Sequence, residues 1–355
     1  MNQTKAATCS QLRSNKEQLA REITELEYKK KPEVWEKYGE EGKLKSIRDS
    51  AFHLDFLIES IEMDDKSIFM DYIEWTKVLF RQIPLPENTI STTLHSTQEV
   101  LSKHLTKREM EIVSEYIREA IQRSEKPAHH IDSYIQKEAP LGNLARSFNK
   151  SLLRGDKRTA NKLIMEEVEK GTSIKDIYLH VFQISQKEVG RLWLLNQISV
   201  AKEHFASAAT QMIMSQLYPY IFSTKRKGHT FIGASIGDEL HELGVRMVGD
   251  FFEMDGWDTY YLGANTPAAT LIEAIRDKNA DILGLSVSMP IHQSLLRDSI
   301  QKIKKELEGY PLKVMVGGIG IKNKQNVHEA YHADGYAENA EKAVIYANQM
   351  ISRNG

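Results

Sequence analysis

The stretch Gly237-Asp238-Glu239-Leu240-His241-Glu242-Leu243-Gly244 carries the residues best suited to chemistry. An imidazole with a carboxylate two positions before it suits a metal ligand and the partner that orients it. The apolar run Phe231–Ile236 before it reads as a strand, and Val245–Phe252 after it has helical spacing. Glu239-x-His241-x-x-Gly244 therefore sits on the loop leaving the carboxyl end of a strand, where open α/β sheets gather ligand-binding groups. Taken alone, the pattern is more often that of a structural loop with one histidine. The elements around it have to decide.

Strands and helices alternate from residue 229 onward. Strands are expected at 230–236, 257–263, 281–287, 312–318 and, more weakly, 335–337, with a last helix at 339–351. Strands two to four are near-continuous apolar runs, which suits a sheet covered on both faces. The expected fold is a flavodoxin-like, doubly wound, five-stranded parallel sheet. Its strand ends offer Glu239 and His241 after the first strand, Ser286-Val287-Ser288 after the third, and Gly317-Gly318 after the fourth. Neither a GxGxxG nor a Lys-Ser/Thr pair follows strand one, so a phosphate loop there is a poor reading. The glycines read as space for something bulky near the backbone.

Residues 139–224 read as a four-helix bundle, with helices over 143–153, 156–170, a third ending at Trp193, and about 199–217. One corner combines Gly190-Arg191-Leu192-Trp193 with Val200-Ala201-Lys202-Glu203-His204. Spacing alone leaves it open between a core tryptophan beside exposed charge and a lid offering a flat apolar face with hydrogen-bonding groups. Residues 1–138 read as an all-α domain, with helical patterns in 11–30, 44–61, 66–79, 88–104 and 106–123, and a turn at Gly39 and Gly42. His53 lies among Phe52, Leu54, Phe56 and Leu57, so it could face a pocket. A flat tetrapyrrole, haem included, or a dimerising signal module would each suit this domain.

The composition excludes several classes. With 47 basic and 49 acidic residues the net charge is −2, so no global bias favours nucleic acid. No helix-turn-helix with a basic recognition helix is visible, and direct DNA binding is not expected. Cys9 is the single cysteine, which rules out an intrachain disulfide or a cysteine zinc site and suits a reducing cytoplasm. No apolar run approaches a membrane span and the N-terminus lacks a signal-peptide core. No constellation for acyl or phosphoryl transfer appears, so an enzyme is not expected.

The set Glu239-x-His241-x-x-Gly244, Ser286 and Gly317-Gly318 resembles the cobalamin-binding domain family, over about residues 228–352. The resemblance implies His241 as the lower cobalt ligand, Glu239 as its hydrogen-bond partner and Leu240 among the cofactor contacts. The displaced benzimidazole tail would run beside Gly244, Gly317 and Gly318, with Ser286 bonded to it. The family's Ser-x-Leu motif has Ser288 in place of leucine here, which leaves Ser286 or Ser288 as the tail contact; Ser286 is favoured. Trp193 with Val200-x-x-Glu203-His204 resembles the cap of the B12-dependent photoreceptor family, over about 145–222. This implies that Trp193, Val200, Glu203 and His204 line the upper face of adenosylcobalamin. Leu194 stands where those photoreceptors commonly carry a histidine. Some of them pair a helical domain with a bilin, which extends the expectation of biliverdin or another tetrapyrrole to residues 11–125, with His53 and Trp75 as contacts.

The function so implied is a light sensor in which photolysis of adenosylcobalamin drives a conformational or oligomeric switch. A homo-oligomer and an unidentified downstream signalling partner are expected. The other reading is a corrinoid carrier for methyl transfer.

Overall fold

The computed structural model describes residues 3–86, 88–321 and 327–352. The chain divides into two compact units, Met1–His130 and Ile131–Gly355.

The first unit is helical. Helix Gln3–Lys30 packs along Gly39–Glu62, and Lys66–Phe80, Thr89–His104 and Lys107–Ser124 complete it. Leu12, Leu19, Ile23, Leu54, Leu57 and Ile61 are buried at helical spacing. Asp65 caps the third of these helices by accepting from Ser67 N–H. Thr106 and Glu109 close a capping box on the last. Gly42 lies inside its helix rather than at the expected turn. Only Gly39, at φ +60°, carries the turn geometry.

The second unit begins earlier than the expected boundary at 138. Tyr134 N–H donates to Glu188, and the Ile131 carbonyl accepts from Arg191, so this segment is tied to the bundle. The bundle helices are Gly142–Leu153, Lys157–Glu169, a third stretch and Val200–Ser215. The third stretch runs from Ile174–Ile177 through a π-helical segment, Tyr178–Phe182, into Gln183–Leu194. Such wide turns often occur at functional sites. Periodicity gave no sign of this one, because a single added residue barely shifts an apolar stripe.

Five parallel strands follow: β1 (Thr230–Ser235), β2 (Asp258–Tyr261), β3 (Ile282–Ser286), β4 (Lys313–Gly317) and β5 (Gly335–Ala337). Their order is β2-β1-β3-β4-β5, as expected for the flavodoxin-like arrangement. The strand order switches sides between β1 and β3, and open sheets of this kind place the ligand crevice beyond the carboxyl ends at such a switch. β3 is buried along its whole length. β2 differs from the expected apolar run: it is an edge strand, and its last two residues are exposed. One apolar core, including Phe148, Tyr178, Phe182, Phe251, Phe252 and Trp257, runs through both bundle and sheet. The two therefore form one unit rather than two.

Candidate functional site

β1 ends at Ser235, and the next residues build the loop that holds His241. Ser235 Oγ donates to the His241 carbonyl at 2.8 Å. Asp238, at φ +63°, sits in the turn, and its N–H donates to Asn265 Oδ1. Helix Leu243–Met254 starts directly after the loop.

Glu239 is fully buried, and both carboxylate oxygens are engaged. Oε1 lies 2.6 Å from His241 Nδ1 and accepts the His241 N–H at 3.0 Å. Oε2 accepts the N–H groups of Ser288 and Met289, each at 2.8 Å, and lies 3.3 Å from His292 Nδ1. Burial alone would raise the carboxyl pKa. The bonds from His241, His292 and backbone N–H groups overcome it and hold the group well below the usual carboxylate range.

The His241 ring is the exposed end of this pair, at 61%. With Nδ1 on Glu239, Nε2 makes no hydrogen bond among the described residues. The Glu239 bond raises its pKa against the opposing effect of burial, and the Glu203 carboxylate of the bundle adds to the rise. Glu203 is thus close enough for its charge to be felt at His241. Leu240 and Ile319, on the loops leaving β1 and β4, are large apolar residues exposed to 74% and 79%.

Ser235, Ser286 and Gly317 are register partners across β1, β3 and β4. Side chains at such positions share a face. Ser286 is buried at the end of β3 and its hydroxyl makes no hydrogen bond among the described residues. Ser288 lies two residues further, where its backbone N–H is committed to Glu239.

The glycines divide into two kinds. A Cβ at Gly244 would meet nothing within 4 Å, so open space remains there. At Gly318, with φ +107°, a Cβ would lie 2.2 Å from the Val287 carbonyl oxygen, and at Gly317 it would lie 2.9 Å from that of Ala337. These two allow neighbouring backbones to approach each other.

In the bundle corner, His204 Nδ1 lies 2.6 Å from Glu203 Oε2. The Ser207 hydroxyl lies 2.9 Å from Glu203 Oε1 and 3.0 Å from Gln186 Oε1, and Gln186 Nε2 donates to Thr210 Oγ1 at 2.8 Å. Trp193 is partly buried against the bundle core, Val200 is half exposed and Leu194 is buried. Sequence reasoning missed Gln186, Ser207 and His292. The i, i+4 spacing of Glu203 and Ser207 was the available signal for one of them.

Among the described residues no three His, Cys, Asp or Glu side chains converge as a metal-binding set. A metal at His241 would then have one protein ligand, which suits an ion that arrives already chelated in a macrocycle. The fixed Nδ1, the outward Nε2 and the exposed apolar Leu240 and Ile319 fit such a group.

Residues 229–345 match the family described as B12 binding domain. Residues 144–218, the bundle, match a second family of the same description. The chain is 28% identical over 164 residues to dimethylamine corrinoid protein 2 of Methanosarcina acetivorans, covering 46% of this chain and 73% of that protein. It is 29% identical over 158 residues to the HTH-type transcriptional repressor CarA of Myxococcus xanthus, covering 43% of this chain and 52% of that one. The solved monomethylamine corrinoid protein of Methanosarcina barkeri shares the fold of this sheet domain and its bundle. Its TM-score is 0.52 at 20% identity, over 58% of this chain and 98% of that one.

In the first unit, His53 is 8% exposed and its Nδ1 lies 2.6 Å from the Tyr72 hydroxyl. Tyr72 also packs edge-on against the imidazole, and Phe52 and Phe56 pack on Tyr72. The ring is part of the core rather than facing a pocket, and burial pushes its pKa down to about 4. Trp75 is half-buried and stacks on Tyr72 with centroids 6.1 Å apart. No helix among the described residues is long and apolar enough to cross a membrane.

Proposed function

We propose that this cobalamin-binding chain is a light sensor that holds adenosylcobalamin between its sheet and its bundle. The observation that carries the lower half is the buried Glu239 on His241 Nδ1, which presents Nε2 outward. His241 is the lower cobalt ligand in this reading, and Glu239 fixes its tautomer and basicity. Gly244 lies beside the displaced tail, and the free hydroxyl of Ser286 is its hydrogen-bond donor. Leu240 lies against the macrocycle.

The upper half rests on the bundle corner. Trp193 supplies a flat face and Val200 an apolar rim. Glu203, held by Ser207 and His204, supplies a fixed acceptor for hydroxyl groups of the adenosyl moiety. When bound, adenosylcobalamin supplies a cobalt–carbon bond that visible light breaks. The protein's part is to bind, orient and exclude water, and then to change the seating of the bundle. Leu194 supplies no ligand for the vacated upper position. A bilin such as biliverdin in the first unit belongs to the same proposal through Trp75, since His53 is sealed by Tyr72. No direct DNA contact is proposed; the signal leaves through a homo-oligomer or a protein partner.

A second reading is a corrinoid carrier for methyl transfer, favoured by the similarity to the dimethylamine corrinoid protein. The two separate on affinity and light. A sensor binds the adenosyl form more tightly than the methyl form, and its spectrum and sedimentation change irreversibly under green light. Equal spectra and sedimentation in dark and light would reject the sensor. Tighter binding of the methyl form would favour the carrier.

A further inference from the structure

Glu242 directly follows His241, and its carboxylate joins two elements. Oε1 accepts from the Gln211 amide on bundle helix Val200–Ser215 at 3.2 Å, and Oε2 accepts from Ala264 N–H, on the loop after β2, at 3.1 Å. One turn further, Arg246 reaches the same bundle helix. Its Nη2 donates to Ser215 Oγ at 2.8 Å and its Nη1 to Gln211 Oε1 at 3.4 Å. The Gln211 amide is thus held at both ends, its nitrogen by an acid and its oxygen by a base. Another turn on, buried Asp250 accepts from the Tyr178 hydroxyl at 2.8 Å, where the π-helical segment meets the sheet domain. Positions 242, 246 and 250 recur every four residues, so helix Leu243–Met254 presents one polar row to the bundle. That row begins at the residue next to His241.

We propose that Glu242 is a positioning residue that couples the seating of the bundle to the placement of the His241 imidazole. Lifting helix Val200–Ser215 away from the sheet breaks the Gln211 and Ser215 bonds, leaving Glu242 its Ala264 bond alone and Arg246 without these two partners. The peptide of His241 then loses a restraint on its carboxyl side, while Glu239 and Ser235 still hold its other groups. An event on the upper face is thereby felt below the macrocycle through the protein, not only through the metal. Release of the lower loop likewise loosens the bundle, since coupling between two sites is reciprocal. The inference rests on the reading of His241 as the lower ligand.

The test uses Gln211→Leu, which keeps the size of the side chain and removes both bonds, and Ser215→Ala, which removes only the Arg246 contact. Neither residue touches the His241 loop except through this row. In the full-length protein without cofactor, amide hydrogen exchange over 239–246 is expected to speed up by about threefold or more in Gln211→Leu and by less in Ser215→Ala. After loading with hydroxocobalamin and reduction to the cob(II)alamin state, the nitrogen splitting of the electron paramagnetic resonance signal is expected to weaken in the same order. Glu242→Gln keeps an acceptor for only one of its two donors, Gln211 and Ala264, and is expected to show both effects in part. If exchange over 239–246 and the nitrogen splitting are unchanged in both bundle variants, the coupling is wrong. If wild type itself shows no nitrogen splitting, the lower-ligand reading fails instead. If Gln211→Leu does not fold, Ser215→Ala alone decides by the same two readouts.

Discussion

Oε1 of Glu239 lies 2.6 Å from His241 Nδ1, while Oε2 of the same carboxylate holds the backbone of Ser288 and Met289. One buried side chain thus orients the candidate ligand and ties together the loops leaving β1 and β3. Replacing it should affect both tasks, and the isosteric change separates them. Glu239→Gln keeps an acceptor oxygen but loses the charge, and should weaken corrinoid binding by roughly 10- to 100-fold, as is usual for the partner of a metal-bound histidine. Glu239→Ala should also lower the melting temperature. Titration of hydroxocobalamin followed by absorbance, with a thermal melt of the apoprotein, reads the two effects.

Gly244 and Gly318 should respond in opposite ways to alanine. Gly244→Ala meets open space and lies in the first turn of a helix, so apoprotein stability should be unchanged or slightly raised, by up to about 1 kcal/mol. Cobalamin affinity should nevertheless fall, because the proposed tail passes there. Gly318→Ala places a Cβ into the Val287 carbonyl at a positive φ and should destabilise the sheet whether or not cofactor is present. An apoprotein melt and a binding titration for each variant give the four values. Unchanged affinity in Gly244→Ala would remove the tail from that position.

The first unit should show a two-sided pH dependence. Burial pushes the Glu27 carboxyl up from 4.5 to about 7. Its contribution to stability is therefore complete below pH 4.5 and is lost as pH rises through 7. His53 is pushed down from 6.5 to about 4, so its contribution is present above 6.5 and is lost as pH falls through 4. The two windows overlap and their slopes oppose, so between pH 4.5 and 6.5 the two effects should nearly cancel in the wild type. Glu27→Gln should remove the loss on the alkaline side, a gain of about 3 kcal/mol at most from a shift of this size. Urea unfolding of wild type and Glu27→Gln, followed by tryptophan fluorescence at pH 5, 6.5 and 8, separates the two slopes: the variant should gain stability from pH 5 to 6.5 while the wild type stays level.

Removing the Tyr178 hydroxyl should leave Asp250 buried with one donor fewer. Tyr178→Phe is expected to cost about 1–3 kcal/mol, the usual penalty for a stranded buried polar group. Asp250, which burial pushes up to about 6 with Tyr178 and Arg246 opposing, should then take up its proton at higher pH. Chemical denaturation at pH 7 and titration of Asp250 by carbonyl-region NMR would detect these changes. A variant as stable as wild type would show that the charge of Arg246 suffices.

The sheet was legible because its signals are local. Apolar runs near 231, 283 and 315, set off by Gly and by polar turns, place β1, β3 and β4 in the observed order. His241 was legible for the same reason, since its Glu239 partner lies two residues away. The second half of Glu239's role was not, because Ser288 and Met289 lie 49 and 50 residues further on. The Gln211–Glu242 bond spans 31 residues and was equally hidden. Gly318 illustrates a different limit. A glycine that leaves room for a ligand and one that lets two backbones touch are the same letter, and only the Val287 carbonyl tells them apart. His53 shows the converse: a histidine among aromatics reads as a pocket until the Tyr72 hydroxyl is seen on its ring.

The bond from Glu239 to the β3 loop has a consequence for how the chain matures. A contact closing a loop of about fifty residues forms only after both strands have docked, because its entropy must be spent before it returns anything. Before that, Glu239 can still reach His241, but its carboxylate is not yet fixed by the Ser288 and Met289 N–H groups. Cofactor capture becomes a checkpoint on biogenesis: it favours finished molecules and, by mass action, keeps them finished.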